Sequence, residues 1–139
     1  MPPASRTAAR DEILAMVKAI ADAQGIEDIY DDVPDDIPDS VDYIKTLLVH
    51  QAGNQATLAN SGGQRRYEKS GLLTIQIYTA AGGGLANSDT FAQAFEDGFE
   101  GKESPSGVWF RSAFSNEFGK TGNRFRTDVF VSFEYDLIK

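Results

Sequence analysis

The chain has one histidine, His50, and no cysteine. Serine hydrolases need an imidazole base beside the nucleophilic hydroxyl, and a Gly-x-Ser-x-Gly elbow is absent from the sequence. The lack of cysteine excludes disulfides, zinc–thiolate sites, iron–sulfur clusters and a thiol nucleophile. His50 stands at the end of an apolar run, where a partly exposed polar side chain is the simpler interpretation. These residues predict no catalytic site and no enzyme activity.

Two glycine motifs could bind phosphate groups. Gly82-Gly83-Gly84 lies between a predicted strand and a predicted helix, but the third glycine of the dinucleotide pattern is replaced by Asn87. Gly119-Lys120-Thr121 is similar to the end of a P-loop, yet Phe114 occupies the place of the first glycine and a strand follows. Both motifs are interpreted as connections, and no cofactor is predicted.

The net charge of -8 comes from one segment. Eight acidic residues fall within sixteen positions without a Lys or Arg among them: Glu27, Asp28, Asp31, Asp32, Asp35, Asp36, Asp39 and Asp42. The other 13 acidic residues are balanced by 13 Lys and Arg. Carboxylates could hold Ca²⁺, but Pro34 and Pro38 interrupt the cluster and the twelve-residue calcium-loop pattern is absent. We predict an acidic, extended, solvated segment over 27–40 and no metal site.

Arg65-Arg66-Tyr67 and Lys69 form the one basic patch of the sequence. The patch could meet phosphate, start a strand, or balance the acidic segment. Duplex nucleic acid and anionic membranes need many cationic contacts, so the negative net charge argues against them as main partners.

The first predicted element is a helix over 5–24. Ser5 or Thr7 can cap its start, and Gly25 can end it because glycine adopts the left-handed conformation. One apolar stripe has helical spacing: Ile13, Met16, Val17 and Ile20.

A second helix is predicted from a cap at Asn87 or Ser88 to about Glu100. Three rings share one face of it: Phe91, Phe95 and Phe99.

Four segments have strand patterns: 41–50, 66–80, 108–115 and 124–136. A further short strand at 27–31 stays open, and 51–64 is interpreted as a long loop. The turn cluster 119–123 joins the last two strands into a hairpin. In the third strand one face is predicted to carry Val108, Phe110, Ser112 and Phe114.

The predicted order is α-β-β-α-β-β in a single domain, 1–139. We expect an α+β fold with a mainly antiparallel four- to five-stranded sheet and two helices packed on one face.

Several stretches resemble the tail terminator, or tail completion, proteins of siphophage-type tailed bacteriophages. They are 50–59, 63–78, Gly82-Gly83-Gly84, 95–102, 107–110 and 133–136. The likeness covers most of the chain. It departs at Ala80-Ala81, where a proline is common, and in the acidic segment.

The resemblance implies a small α+β subunit that forms a sixfold ring on the finished tail tube. Such a ring stops polymerisation and presents a surface to the head connector. The implied partners are copies of the chain, the major tail tube protein and the connector or neck protein. DNA passes through without specific binding, and no membrane or cofactor is involved. The implied location is the virion, at the head–tail junction, after assembly in the host cytoplasm.

Two site hypotheses follow from the charges. Asp31, Asp32, Asp35 and Asp36 are predicted to face the lumen and repel DNA. Arg65, Arg66 and Tyr67 are predicted to help close the ring, because guanidinium groups pair well with a neighbour's carboxylates. Two alternatives remain open: a head-completion or neck adaptor protein, and a small ligand-binding or hydrolytic α+β domain.

Overall fold

The computed structural model describes residues 5–30, 42–55, 65–80, 85–121 and 124–138. Its elements in chain order are α1 (Arg6–Gln24), β1 (Glu27–Tyr30), β2 (Tyr43–Gln55), β3 (Arg66–Ala80), α2 (Leu85–Phe99), β4 (Trp109–Thr121) and β5 (Arg124–Ile138). They form one sheet in the order β1-β2-β3-β5-β4. The short β1 is parallel to β2, and the other pairs are antiparallel. The predicted α+β class is confirmed, with β1 as the additional strand.

Helix α1 begins and ends where the sequence predicts. The Ser5 hydroxyl accepts a hydrogen bond from the Ala8 amide at 3.1 Å, and Gly25 has the left-handed φ of 69°. Ile13 and Val17 are fully buried, while Met16 and Ile20 pack partly buried against the core. The predicted stripe is therefore the face that holds α1 on the sheet.

Helix α2 begins earlier than predicted. It starts at Leu85, so neither Asn87 nor Ser88 is the residue before the helix. Ser88 is instead buried in the first turn, with its hydroxyl oxygen 3.1 Å from that of Thr79 on β3. The predicted rings of Phe95 and Phe99 are fully buried, which fixes the helix over β3, β4 and β5.

Both helices lie on one face of the sheet, here called the covered face. The strands supply the apolar side chains beneath them: Ile44, Leu73, Ile75, Ile77, Phe110, Val129, Val131, Phe133 and Tyr135. The opposite side, here called the open face, has no helix over it in the part of the chain that the structure describes. No helix among the described residues is long and apolar enough to cross a bilayer.

Strand β2 is longer than predicted. It continues through Gln51–Gln55, so the prediction of a loop over 51–64 is wrong for its first five residues. The ladder with β3 passes a register shift between His50 and Ala52 and then resumes, and such a bulge lets a strand with glycine and polar residues stay paired. Residues 56–64 lie outside the described residues. In the predicted acidic segment, residues 27–30 form β1, and residues 31–40 lie outside the described residues.

The alternation of buried and exposed residues in β4 differs from the prediction. Val108 and Phe110 are buried, but the register with β5 shifts between Phe110 and Ala113. Phe114 therefore lies on the open face, 54% exposed, while Ala113 packs against the core. A bulge adds one residue to a strand, which moves the side chains that follow it to the other face. A second shift lies between Glu117 and Gly119.

Candidate assembly surface

The open face carries the exposed apolar side chains of the sheet. Five large apolar residues of the described chain are about half exposed: Val49 (55%), Trp109 (44%), Phe114 (54%), Phe118 (53%) and Ile138 (52%). Three of the five are on β4, the last strand of the sheet. This concentration of exposed rings on one strand makes β4 a candidate contact surface.

An ion pair holds the aromatic part of the open face in place. Arg126 donates to Asp128 through Nε at 2.9 Å and Nη2 at 2.8 Å. The same guanidinium lies 4.7 Å from the ring centre of Phe118. Asp128 is only 2% exposed, and its hydrogen bonds raise the pKa of Arg126. The bidentate ion pair fixes the orientation of the Arg126 guanidinium. The Phe118 ring therefore packs against a cation that is held in place.

A second aromatic stack lies next to the first. Phe114 and Phe130 stack with ring centres 5.2 Å apart. On the same face, near the carboxyl end of β3, Tyr43 and Tyr78 stack at 4.8 Å, and the Arg124 guanidinium lies 4.7 Å from the Tyr43 ring centre. The open face is therefore a preorganised platform rather than a set of loose side chains.

The sheet has two free edges within the described residues. Strand β1 pairs only with Tyr43–Thr46, which leaves 47–55 of β2 without a neighbour on that side. At the other end of the sheet, the Phe110 amide donates to the Lys102 carbonyl at 2.9 Å, and the Gly101 amide donates to the Phe110 carbonyl at 3.1 Å. This short loop covers the start of β4, so its free part is 111–121.

The predicted interface residues do not form one patch. Arg65 is exposed directly before β3. Arg66 already contacts carboxylates of its own chain, with Nη2 3.4 Å from Glu68 Oε1 and Nε 3.9 Å from Asp136 Oδ2. Tyr67, the next residue of the strand, points to the opposite face of the sheet. Their role in closing a ring stays a prediction.

The predicted lumen-facing acids Asp31, Asp32, Asp35 and Asp36 lie outside the described residues. Among the residues that are described, no group of three or more Asp, Glu or His gathers in a way that could hold a metal ion.

His50 is surrounded by aromatic groups. Its Nε2 shares a hydrogen bond of 2.6 Å with the Tyr135 hydroxyl, and its ring meets the Phe133 ring edge-on at 5.4 Å. Its buried Nδ1 has no hydrogen-bond partner within the described residues. Burial lowers the pKa of His50, with further lowering by the charges of Arg6, Arg10 and Lys69. These contacts and the lowered pKa favour a neutral imidazole that packs against aromatic side chains.

We expect unfolding to become easier as the pH falls from 7.5 to 5.5. The folded chain holds His50 neutral below its ordinary pKa of 6.5, so the unfolded chain binds the proton more readily and acid favours unfolding. Urea midpoints measured at both pH values check this, since the window lies above the ordinary range of carboxylates. His50→Gln should flatten the slope, and an unchanged slope in that variant would assign the effect to another group.

The most exposed residues of the surface could not be derived from alternation. Phe110, Phe114 and Phe118 all fall on one face of a regular strand, and the shift before Ala113 separates the first from the other two. One signal was present: Ser112 is a polar residue in the row that simple alternation forms with Val108, Phe110 and Phe114.

Comparison with known proteins gives a shared fold and no family. No protein-family model matches the chain, and no curated protein matches it. Solved structures with the same fold include one named only by a sequence identifier, with 12% identity, a TM-score of 0.61 and coverage of 91% of this chain and 94% of that one. Another is described as the virion of a native gene transfer agent particle, with 18% identity, a TM-score of 0.57 and coverage of 91% and 92%. At these identities the likeness shows the fold alone.

Proposed function

We propose that this chain is a structural virion protein of the tail terminator type, which assembles into a ring on the end of a tail tube. It stops tube growth, offers a joining surface to the head connector, and performs no bond chemistry. The observation that carries the proposal is the sheet that is covered on one face and open on the other, with exposed rings on a free edge strand.

Such a sheet is better suited to an assembled state than to a monomeric one. Free edges and exposed rings attract further strands, and proteins that stay monomeric protect them with charges, prolines or covering loops. A subunit of 15.1 kDa that presents two different edges is suited to head-to-tail contacts, which close into rings. The fold shared with a chain of a gene transfer agent virion supports a role as a phage-related particle protein.

The assignment to the tube end, and the ring of six, rest on the sequence resemblance. Inactivating the gene in the virus or particle that encodes it should give tails of uncontrolled length and capsids without attached tails. Purified chain added to the extract should restore defined lengths, and it should co-sediment with tail tubes made without capsids. Tails of normal length in the null strain would refute the terminator role, and co-sedimentation with tail-free heads instead would assign a neck adaptor.

Arg65→Ala/Arg66→Ala should weaken the ring. Both guanidiniums lie beside the start of β3, and Arg66 is 45% exposed despite its own carboxylate partners, so each can take part in a charge-assisted contact with a neighbour. Light scattering of the purified ring gives the readout. Lys18→Ala, which removes an exposed cation on α1, is the control. An intact ring in the double variant would remove these residues from the interface.

A further inference from the structure

The two edges that are free within the described residues run in opposite directions. Strand β2 is antiparallel to β3, β3 to β5, and β5 to β4, so β2 and β4 point opposite ways. When copies are repeated side by side in one orientation, the free edge of β4 therefore meets the free edge of the next β2 in antiparallel fashion. This is the pairing that continues the sheet without changing its pattern.

The two edges are similar in length and both carry exposed apolar groups on the open face. The free part of β2 has nine residues, 47–55, without a Lys, Arg, Asp or Glu, and it includes the exposed Val49. The free part of β4 has eleven residues, 111–121, and includes Phe114 and Phe118. The middle residue of the free part of β2 is Gln51, and that of the free part of β4 is Asn116. With these two opposite each other, Val49 comes close to the neighbour's Phe118.

Charged side chains flank both edges. Near the β2 edge, Arg6, Arg10 and Lys69 are close enough to act on His50, and the ammonium of Lys69 lies over Gly53. Near the β4 edge, α2 contains Asp89, Glu96 and Asp97 without a Lys or Arg, while the free part of β4 itself carries Arg111, Glu117 and Lys120. Glu96 is tied to that strand, because its Oε1 accepts from the Ser115 hydroxyl at 2.8 Å. The carboxylates of α2 beside β4 can therefore meet the cations beside β2 when the two edges of neighbouring copies come together.

We propose that neighbouring copies of this chain join by pairing 47–55 of one β2 with 111–121 of the next β4, so that the sheet continues from subunit to subunit. The edge pairing rests on one element of the proposed function, namely that the chain assembles with itself. Pairing of two β4 edges in a symmetric dimer would leave the uncharged β2 edges open. Head-to-tail pairing covers both edges with one kind of interface.

The lack of cysteine in the chain allows a direct test. Gln51→Cys/Asn116→Cys is incorporated into tails, and a short bismaleimide is added. We expect a ladder of covalent oligomers that ends at the ring. Two controls, Asn116→Cys alone and Asn116→Cys with Ala19→Cys on the exposed side of α1, should stay mainly monomeric.

The outcomes separate this proposal from the proposed function. Normal tails in which the double variant gives no more crosslinking than the controls would refute the edge pairing and leave the terminator role intact. Covalent dimers from Asn116→Cys alone would show the symmetric β4 contact and also overturn the proposal. A ladder in particles whose tail length does not depend on this gene would support the pairing and refute the terminator role.

Discussion

Replacing Phe114 and Phe118 with threonine should abolish assembly while the subunit stays folded. Each ring is slightly more than half exposed in the subunit, so a neighbour can cover about 100 Å² of each, worth about 2.5 kcal/mol per ring. A loss of about 5 kcal/mol per interface weakens association by roughly a thousandfold or more. Threonine keeps the strand propensity of the position.

Sedimentation and electron microscopy of the purified protein measure this effect, and the urea midpoint checks that the subunit is folded. Ile138→Thr is the matched control, because Ile138 is equally exposed at 52% but lies at the end of β5, outside both free edges. If ring-shaped assemblies form at the same protein concentration in the double variant and the wild type, these two residues are excluded from the interface.

Gly71→Ala should destabilise the fold by about 3 kcal/mol, which lowers the melting temperature by roughly 10 °C. A Cβ at this position would lie 2.2 Å from the Val49 carbonyl oxygen and 2.5 Å from Phe133 Cζ. The first atom belongs to the paired backbone of β2, and the second to a fully buried ring that also contacts His50. Neither can move away without disturbing the sheet.

Gly53→Ala provides the comparison for this prediction. A Cβ there would meet only the Lys69 side chain, with Nζ at 2.8 Å, and the end of a lysine can turn away. Thermal melts of the two variants should therefore differ by several degrees. Equal melting temperatures would mean that Phe133 does not pack over Gly71 in solution.

Local signals were sufficient for the regular elements. The α1 cap, its glycine stop and its apolar stripe are all determined by residues a few positions apart, and β3 was predicted with both of its ends correct, Arg66–Ala80. The start of α2 was missed because Ser88 has the side chain of a capping residue but uses it to contact Thr79, nine positions away. Such a contact depends on how the helix lies over the sheet.

The candidate site was less predictable than the fold. Charge and residue type pointed to Arg65, Arg66 and Tyr67, whereas simple alternation placed Phe114 in one row with Val108 and Phe110, and Phe118 lay beyond the strand predicted at 108–115. Their true position depends on the bulge before Ala113, and a bulge follows from pairing with β5 rather than from the sequence of β4 alone. The free edges likewise follow from strand order, which is a property of the whole sheet.

The short β1 and the loop that covers the start of β4 restrict how a ring can be built. Phe114 is level with Leu47 across the sheet, through Phe130 and Thr74, and from this level the two free edges extend toward opposite ends. Subunits with strands parallel to the ring axis would not bring these edges together. In the proposed pairing each copy is displaced along its neighbour, so the strands tilt relative to the ring axis. In a closed sheet, the tilt and the number of strands together set the diameter of the ring. In a ring joined by the proposed edge pairing, the two covering segments would therefore help to set the inner diameter.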